Sequence, residues 1–293
     1  MGAWAESVLK RLAWMAVVDR NRNEFGSARH RYELSAPVTQ AALEAIESGN
    51  GYSFPPVLRD FWLHAGAGGA GPNYGVLGPG EVRPFRPTEP MTAVAELQRR
   101  GRVRMALWNI PALASLEADH ERETGEYRFE SLVAFASSRG VVLPEPDLDD
   151  PSNYFEGSQA DITGLIGVIE QGCGHMTAVA IQPPDVGRVV TVGGDGGVWE
   201  TDRSFDEVYD HWLNSLITTY SDLVDETSGG VRMDTIRSLD GLLLWYAVDR
   251  LASVHGIARP TLSSGNEINA WCAEMLEHFE TLAPVRLPSI SEP

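Results

Sequence analysis

Apolar residues recur at helical spacing from the start of the chain. Trp4, Val8, Leu12 and Met15 fall on one side of a helix over residues 3–18. Residues 19–36 are polar and read as a connector. A second helix is expected over Val38–Glu47, with Leu43 and Ile46 turned inward and Gly49, Asn50 and Gly51 ending it. Pro55-Pro56 opens a third, Val57–His64, because a proline in a first turn forfeits no hydrogen bond. Its inward positions are Leu58, Phe61 and Trp62. Gly66–Gly71 stops this helix, and Tyr74–Leu77 reads as a short strand.

Further along, residues 92–100 and 110–119 carry helical patterns. Strands are expected around Ser131–Phe135 and Gly140–Leu143, followed by a Pro- and Asp-rich loop at 144–153. The clearest strand signal comes next. Leu165–Glu170, Met176–Ile181, Arg188–Val192 and Val198–Glu200 are short apolar or β-branched runs. Gly172/Gly174, Pro183-Pro184 and Gly193–Gly197 divide them, which predicts the hairpins of a meander. Ser204 and Glu207 have the spacing of a capping box. The helix they open carries Phe205, Val208, Tyr209, Trp212, Leu213 and Leu216 on one side. Ser228-Gly229-Gly230 reads as a linker, and Thr235–His255 and Asn266–Leu282 as two long amphipathic helices.

Composition adds a core and a charge. Of 293 residues, 43% are hydrophobic and eight are Trp, which is too apolar for a disordered chain. Lys and Arg number 23 against 41 Asp and Glu, a net charge of −18. Residues 145–226 hold 17 acidic residues against Arg188 and Arg203 alone, so this stretch carries −15 of that total. Residues 83–104 run the other way, with six Arg against Glu89 and Glu96. Such a field repels nucleic acid and anionic membranes and attracts basic partners. Cys173 and Cys272 make no disulfide framework, which points to a reducing cytoplasm. The apolar run Leu12–Val18 ends at Asp19 with no cleavage-site pattern, and Leu242–Val248 is equally short, so neither is read as a signal or a membrane span. Met1-Gly2 lacks the Ser or Thr that myristoylation needs, having Glu6 instead.

Motifs of chemistry are sparse. Gly66-Ala67-Gly68-Gly69-Ala70-Gly71 matches G-x-G-x-x-G, but a helix precedes it and Pro72 and a strand follow, the reverse of a dinucleotide site. Lys10 is the only lysine, so no P-loop is present, and no G-x-S-x-G occurs. Cys173 and His175 could form a thiolate–imidazole pair, although a glycine hairpin accounts for the same spacing. Asp147, Asp149, Asp150 and Glu156 resemble a calcium loop, but Ser158 and Ser152 stand where Glu and Gly are required. The seven histidines are scattered, with no H-x-x-x-H, and neither a metal nor a cofactor is expected.

The order of the pieces is more specific than any one motif. Leu43–Glu47, then Phe54-Pro55-Pro56-Val57-Leu58-Arg59-Asp60-Phe61-Trp62, then His64–Gly75 with its glycine break, resembles the opening of the SUKH superfamily. That superfamily contains the fungal cell-wall assembly regulator and many bacterial immunity proteins. Ile166–Glu170, Gly172-Cys173-Gly174, the strand at 176–181, Gly194–Trp199 and Ser204-Phe205 leading to Trp212-Leu213 are similar to its closing strands and helix. The resemblance covers roughly residues 38–217 and implies an α+β fold, a small, mainly antiparallel sheet flanked by helices. The corresponding division is an N-terminal helix and connector at 1–37, a SUKH-like domain at 38–228 with an insertion around 92–160, and a C-terminal helical extension at 229–293.

What the resemblance implies is binding without catalysis. The expected function is an immunity protein that neutralises a cognate toxin, a basic protein of the nuclease type. The alternative is a regulatory scaffold for a housekeeping partner, and a third reading is a hydrolase or transferase using Cys173 and His175. The expected contact residues are Asp185, Asp195, Trp199, Glu200, Asp202 and Asp206, on the acidic strand–turn–helix half. No direct nucleic-acid or membrane binding is expected. The two C-terminal helices could pair with a second copy or fold back on the core.

Overall fold

The computed structural model describes residues 2–89, 116, 119–120, 122–123, 129–141, 162–193, 198–200, 203–224, 231–285 and 287. The expected helices at 92–100 and 110–119, the calcium-like loop and the Ser228–Gly230 linker lie almost wholly outside these residues.

Helix α1 (Ala3–Val18) forms where the apolar spacing places it and buries Val8, Leu12, Met15 and Val18. It also buries Arg11, because Arg11 meets Asp210 in an ion pair and Asn214 Oδ1 at 3.1 Å. A short helix, α2 (Ser27–His30), interrupts the connector. Helix α3 (Gln40–Asn50) starts two residues later than the apolar pattern implies, since the Thr39 hydroxyl accepts from the Ala42 N–H. It ends at Gly51 in the left-handed region.

Helix α4 (Pro56–Asp60) widens into a π-helical turn over Phe61–Ala65, so the third expected helix is α-helical only in its first half. Phe61 and Trp62 are fully buried there, and the Trp62 indole donates to the Leu77 carbonyl at 3.1 Å. Tyr74–Leu77 is not a strand. Only single-residue bridges form, Gly69 with Leu34 and with Val76, and Val76 with Ile169. Asn73 and Gly75 take positive φ and break the extended backbone on either side of Tyr74.

Among the described residues the strands form one antiparallel sheet in chain order: β1 (Arg83–Phe85), β2 (Leu165–Gly172), β3 (His175–Ala180), β4 (Val189–Val192) and β5 (Val198–Glu200). The meander is as the sequence divides it; β1 is an addition. Pro84 hides it from a pattern reading, yet a proline is tolerated on an edge strand, and β1 is one. The expected strand at Ser131–Phe135 is corrected to helix α5 (Phe129–Ser138), closed by Gly140 at φ 77°. A short apolar run has no distinguishing period.

Both faces of the sheet are apolar. Ile166, Val168, Val179 and Val189 face the helices, in one cluster with α1, α4 and Phe205, Tyr209 and Leu213 of α6 (Phe205–Ser221). Leu165, Ala178, Ala180, Val190 and Val192 form the opposite face with Ile162. Two faces covered explain why the strands read as continuous apolar runs and not as alternation. The Ser204 N–H donates to Glu207 Oε2 at 2.7 Å, closing the expected box at the start of α6. The molecule is thus α+β.

The last segment departs from two long helices. Residues 233–254 split into α7 (Met233–Arg237) and α8 (Gly241–Val254) around Ser238–Asp240. Ser and Asp favour turns because their side chains compete for backbone groups. Helix α9 (Gly265–Phe279) is capped by Ser264, which accepts from the Glu267 N–H. Trp271, Cys272, Met275 and Phe279 of α9 pack on Val248, Leu251 and Ala252 of α8 in a second cluster. Among the described residues, no helix is long and apolar enough to cross a membrane.

A polar seam joins the two clusters. Asp19, fully buried just after α1, accepts from the Tyr32 hydroxyl at 2.7 Å, the Asn23 N–H at 2.9 Å and the Ser253 hydroxyl of α8 at 3.3 Å. Arg250 of α8 grips Glu24 with hydrogen bonds of 2.6 and 3.2 Å. Asn21 and Asn23 donate to backbone carbonyls of Ile257 and Asp249. Burial and the Asp19 carboxylate push the Tyr32 phenol well above its ordinary range.

His30 lies beside this seam, edge-on to Tyr32 and Trp212, with Nδ1 accepting from the Tyr32 N–H. Burial, with Arg22 nearby, lowers its pKa to about 4. A depressed base binds fewer protons folded than unfolded, so its contribution is present above pH 6.5 and is lost as pH falls toward about 4. The urea midpoint is therefore expected to drop between neutral pH and pH ~4. A His30→Phe variant should show a visibly flatter dependence. An unchanged slope in the variant would remove His30 from the account.

Candidate partner-binding surface

Among the described residues, Asp185, Glu200, Asp206 and Glu207 of the acidic stretch fall on the β3–β4 turn, strand β5 and the first turn of α6. In the turn, Asp185 pairs with Arg188, carboxylate to guanidinium at 3.2 Å. This Asp is half-buried and already neutralised within the protein. Asp206 sits in the first turn of α6, where exposed N–H groups favour an anion. Its neighbour Glu207 has its carboxyl held below the usual range by hydrogen bonds from the Ser204 backbone and hydroxyl. Asp210, a turn further on, points inward to Arg11 and also accepts from the Trp4 indole at 3.1 Å.

Trp199 and Glu200 lie on β5, opposite Thr191 and Val190 at the sheet edge. Asp195 and Asp202 fall outside the described residues. The structure therefore places Asp185, Asp206 and the β5 positions on neighbouring elements.

An open pocket of about 510 Å³ lies between the β3–β4 turn, the residues that lead into α6 and the start of α4. Pro55, Pro56 and Val57 form one wall, and Val186, Gly187, Arg188, Arg203 and Ser204 the other. The two cations of the 145–226 stretch thus both line this pocket. Its lining offers guanidinium groups, that of Arg188 already paired with Asp185, and apolar walls. Such an arrangement can hold a protruding protein side chain.

Cys173 occupies the β2–β3 turn at φ 51°, exposed, between Gly172 and Gly174. The His175 imidazole Nδ1 lies 3.2 Å from the Cys173 backbone oxygen, a contact within the turn. Among the described residues, no group of three or more His, Cys, Asp or Glu could hold a metal ion.

Two features escaped the sequence reading. The Asp19 seam is one; its signal was the aspartate that ends the first apolar run. The other is Leu242, Leu243 and Tyr246, which belong to an apolar run yet stay exposed on α8. No protein family, no curated protein and no solved structure was found to match this chain.

Proposed function

We propose that this chain is a non-enzymatic, protein-binding immunity protein of the SUKH kind that neutralises a cognate basic toxin in the cytoplasm. The observation that carries the reading is the concentration of 17 acidic residues against two basic ones in residues 145–226. Asp206, Glu207, Asp185 and strand β5 from that stretch lie on adjoining elements. A basic enzyme that binds phosphate backbones presents the complementary field, and an acidic inhibitor can occupy that surface. The order of helix, Pro-led helix, glycine break, antiparallel hairpins and capped helix also supports the reading.

The test is to purify the chain with the product of the adjacent open reading frame and follow association by stopped flow. Steered association should slow by roughly tenfold or more between low and high salt. Changing Asp195, Glu200, Asp202 and Asp206 together to Asn or Gln should produce the same loss at low salt. Undiminished binding by that variant would remove this surface. A neighbouring gene unrelated to toxins, whose product binds nonetheless, would favour the regulatory scaffold.

A further inference from the structure

Residues 145–226 hold 17 acidic residues and two cations, and both cations, Arg188 and Arg203, line the pocket before α6. A uniformly repelling surface has no use for two guanidiniums at one place. Arg188 is held by Asp185 at 3.2 Å. Arg203 is exposed, and among the described residues its guanidinium makes no ion pair or hydrogen bond. Glu207 is close enough for Arg203 to help lower its carboxyl. That carboxylate is spent on Ser204, accepting from its N–H at 2.7 Å and its hydroxyl at 2.9 Å.

The walls around Arg203 are apolar and fixed. Pro55 and Pro56 carry no N–H, and Val57 and Val186 add only methyl groups. Val186 is 52% exposed at the tip of the β3–β4 turn. The Val189 N–H donates to the Arg203 carbonyl at 3.3 Å, and the Arg188 N–H to the Asp185 carbonyl at 2.9 Å, which ties the turn to the lead-in of α6. Phe205, the second residue after Arg203, is fully buried edge-on against Phe61, ring centres 5.4 Å apart, which ties that lead-in to the turn after α4. At about 510 Å³, with apolar walls and a few polar groups, the cavity has the size and composition of a ligand pocket.

Resting on the reading of this chain as a protein-gripping protein, we infer that this pocket receives a carboxylate-bearing side chain of the partner. The Arg203 guanidinium presents a fork of N–H donors that matches a carboxylate. The methylene stem behind that carboxylate lies against the prolines and valines. Elsewhere on the acidic stretch a carboxylate is repelled, so it fits only where Arg203 stands. The acidic field attracts any basic protein and raises its association rate. One opposite charge at a fixed place selects among those proteins and sets the register of the complex.

The chemistry is tested on the full chain with phenylacetate and with phenylacetamide, which has the same shape without the charge. Amide NMR shifts are expected at 186–188 and 203–205 with phenylacetate, and binding of the amide should be about tenfold weaker or less. Arg203→Gln should remove that preference and Val186→Asp should weaken the acid, both with circular dichroism unchanged. The occupant is tested on the complex with the product of the adjacent open reading frame. Arg203→Gln makes the surface more acidic, so steering alone predicts equal or tighter binding of a basic partner. The pocket predicts the opposite sign, dissociation roughly tenfold faster at both about 50 and 300 mM salt. Equal or tighter binding by Arg203→Gln would overturn the partner's carboxylate and leave the protein-gripping reading in place. If that product fails to bind the unaltered chain, the protein-gripping reading falls. Shifts selective for phenylacetate would then assign the pocket to a free small acid and overturn the side chain as occupant. Shifts absent or equal for the two probes would overturn the carboxylate site itself.

Discussion

Asp19→Ala is expected to lower the unfolding free energy by about 3–5 kcal/mol, among the largest losses from a single polar residue in this chain. The carboxylate is fully buried, yet it accepts from Tyr32, Asn23 and Ser253, which come from three separate places in the chain. Truncation leaves those donors buried without an acceptor, and each such group costs about 1–3 kcal/mol. The partners relax partially, which keeps the total below the sum. Asp19→Asn retains a carbonyl acceptor of the same shape and should lose about half as much. Urea denaturation followed by Trp fluorescence measures both variants. Hydrogen exchange should show α8 opening before the sheet, because Ser253 and Arg250 lie on the α8 side of the seam. A loss below about 1 kcal/mol for Asp19→Ala would mean that water replaces the carboxylate.

Gly26→Ala is expected to be at least as severe, at more than about 3 kcal/mol, through an unrelated cause. Gly26 has φ 81°, and a Cβ built there would stand 1.5 Å from the Asn73 carbonyl oxygen. Backbone cannot yield as a flexible side chain can. The turn at 72–75 would have to separate from the start of α2, taking with it the Phe25–Tyr74 contact. Gly49→Ala serves as the control. It lies in α3 with open space around it, and alanine there should stabilise by about 0.5–1 kcal/mol. If both substitutions prove neutral in thermal unfolding, the close approach of α2 to the 72–75 turn is not a feature of the folded protein.

Elements with local causes are legible along the chain. Helix α1 is legible because apolar spacing over sixteen residues is a property of the segment alone. The start of α6 is legible because Ser204 and Glu207 are three residues apart and complete each other. Strands β2 to β5 are legible because β-branched runs alternate with Gly and Pro that cannot continue them. Charge concentration in 145–226 is likewise a property of the chain order. Where local signals are weak or divided, the reading failed. Residues 131–135 lacked a period and proved helical, and Ser238–Asp240 broke what looked like one helix.

Which polar groups are spent inside depends on contacts between distant parts of the chain. Arg11 and Asp210 are 199 residues apart and Asp19 and Ser253 are 234 apart, separations over which no spacing rule applies. Those pairings remove Asp210 from the acidic surface and turn a connector into a buried seam. Tertiary packing also left Leu242, Leu243 and Tyr246 in solvent while burying Val248 of the same run, because α8 has a single face to offer α7, α9 and α1. Burial is a property of what lies opposite a residue, and no stretch of sequence states that for itself.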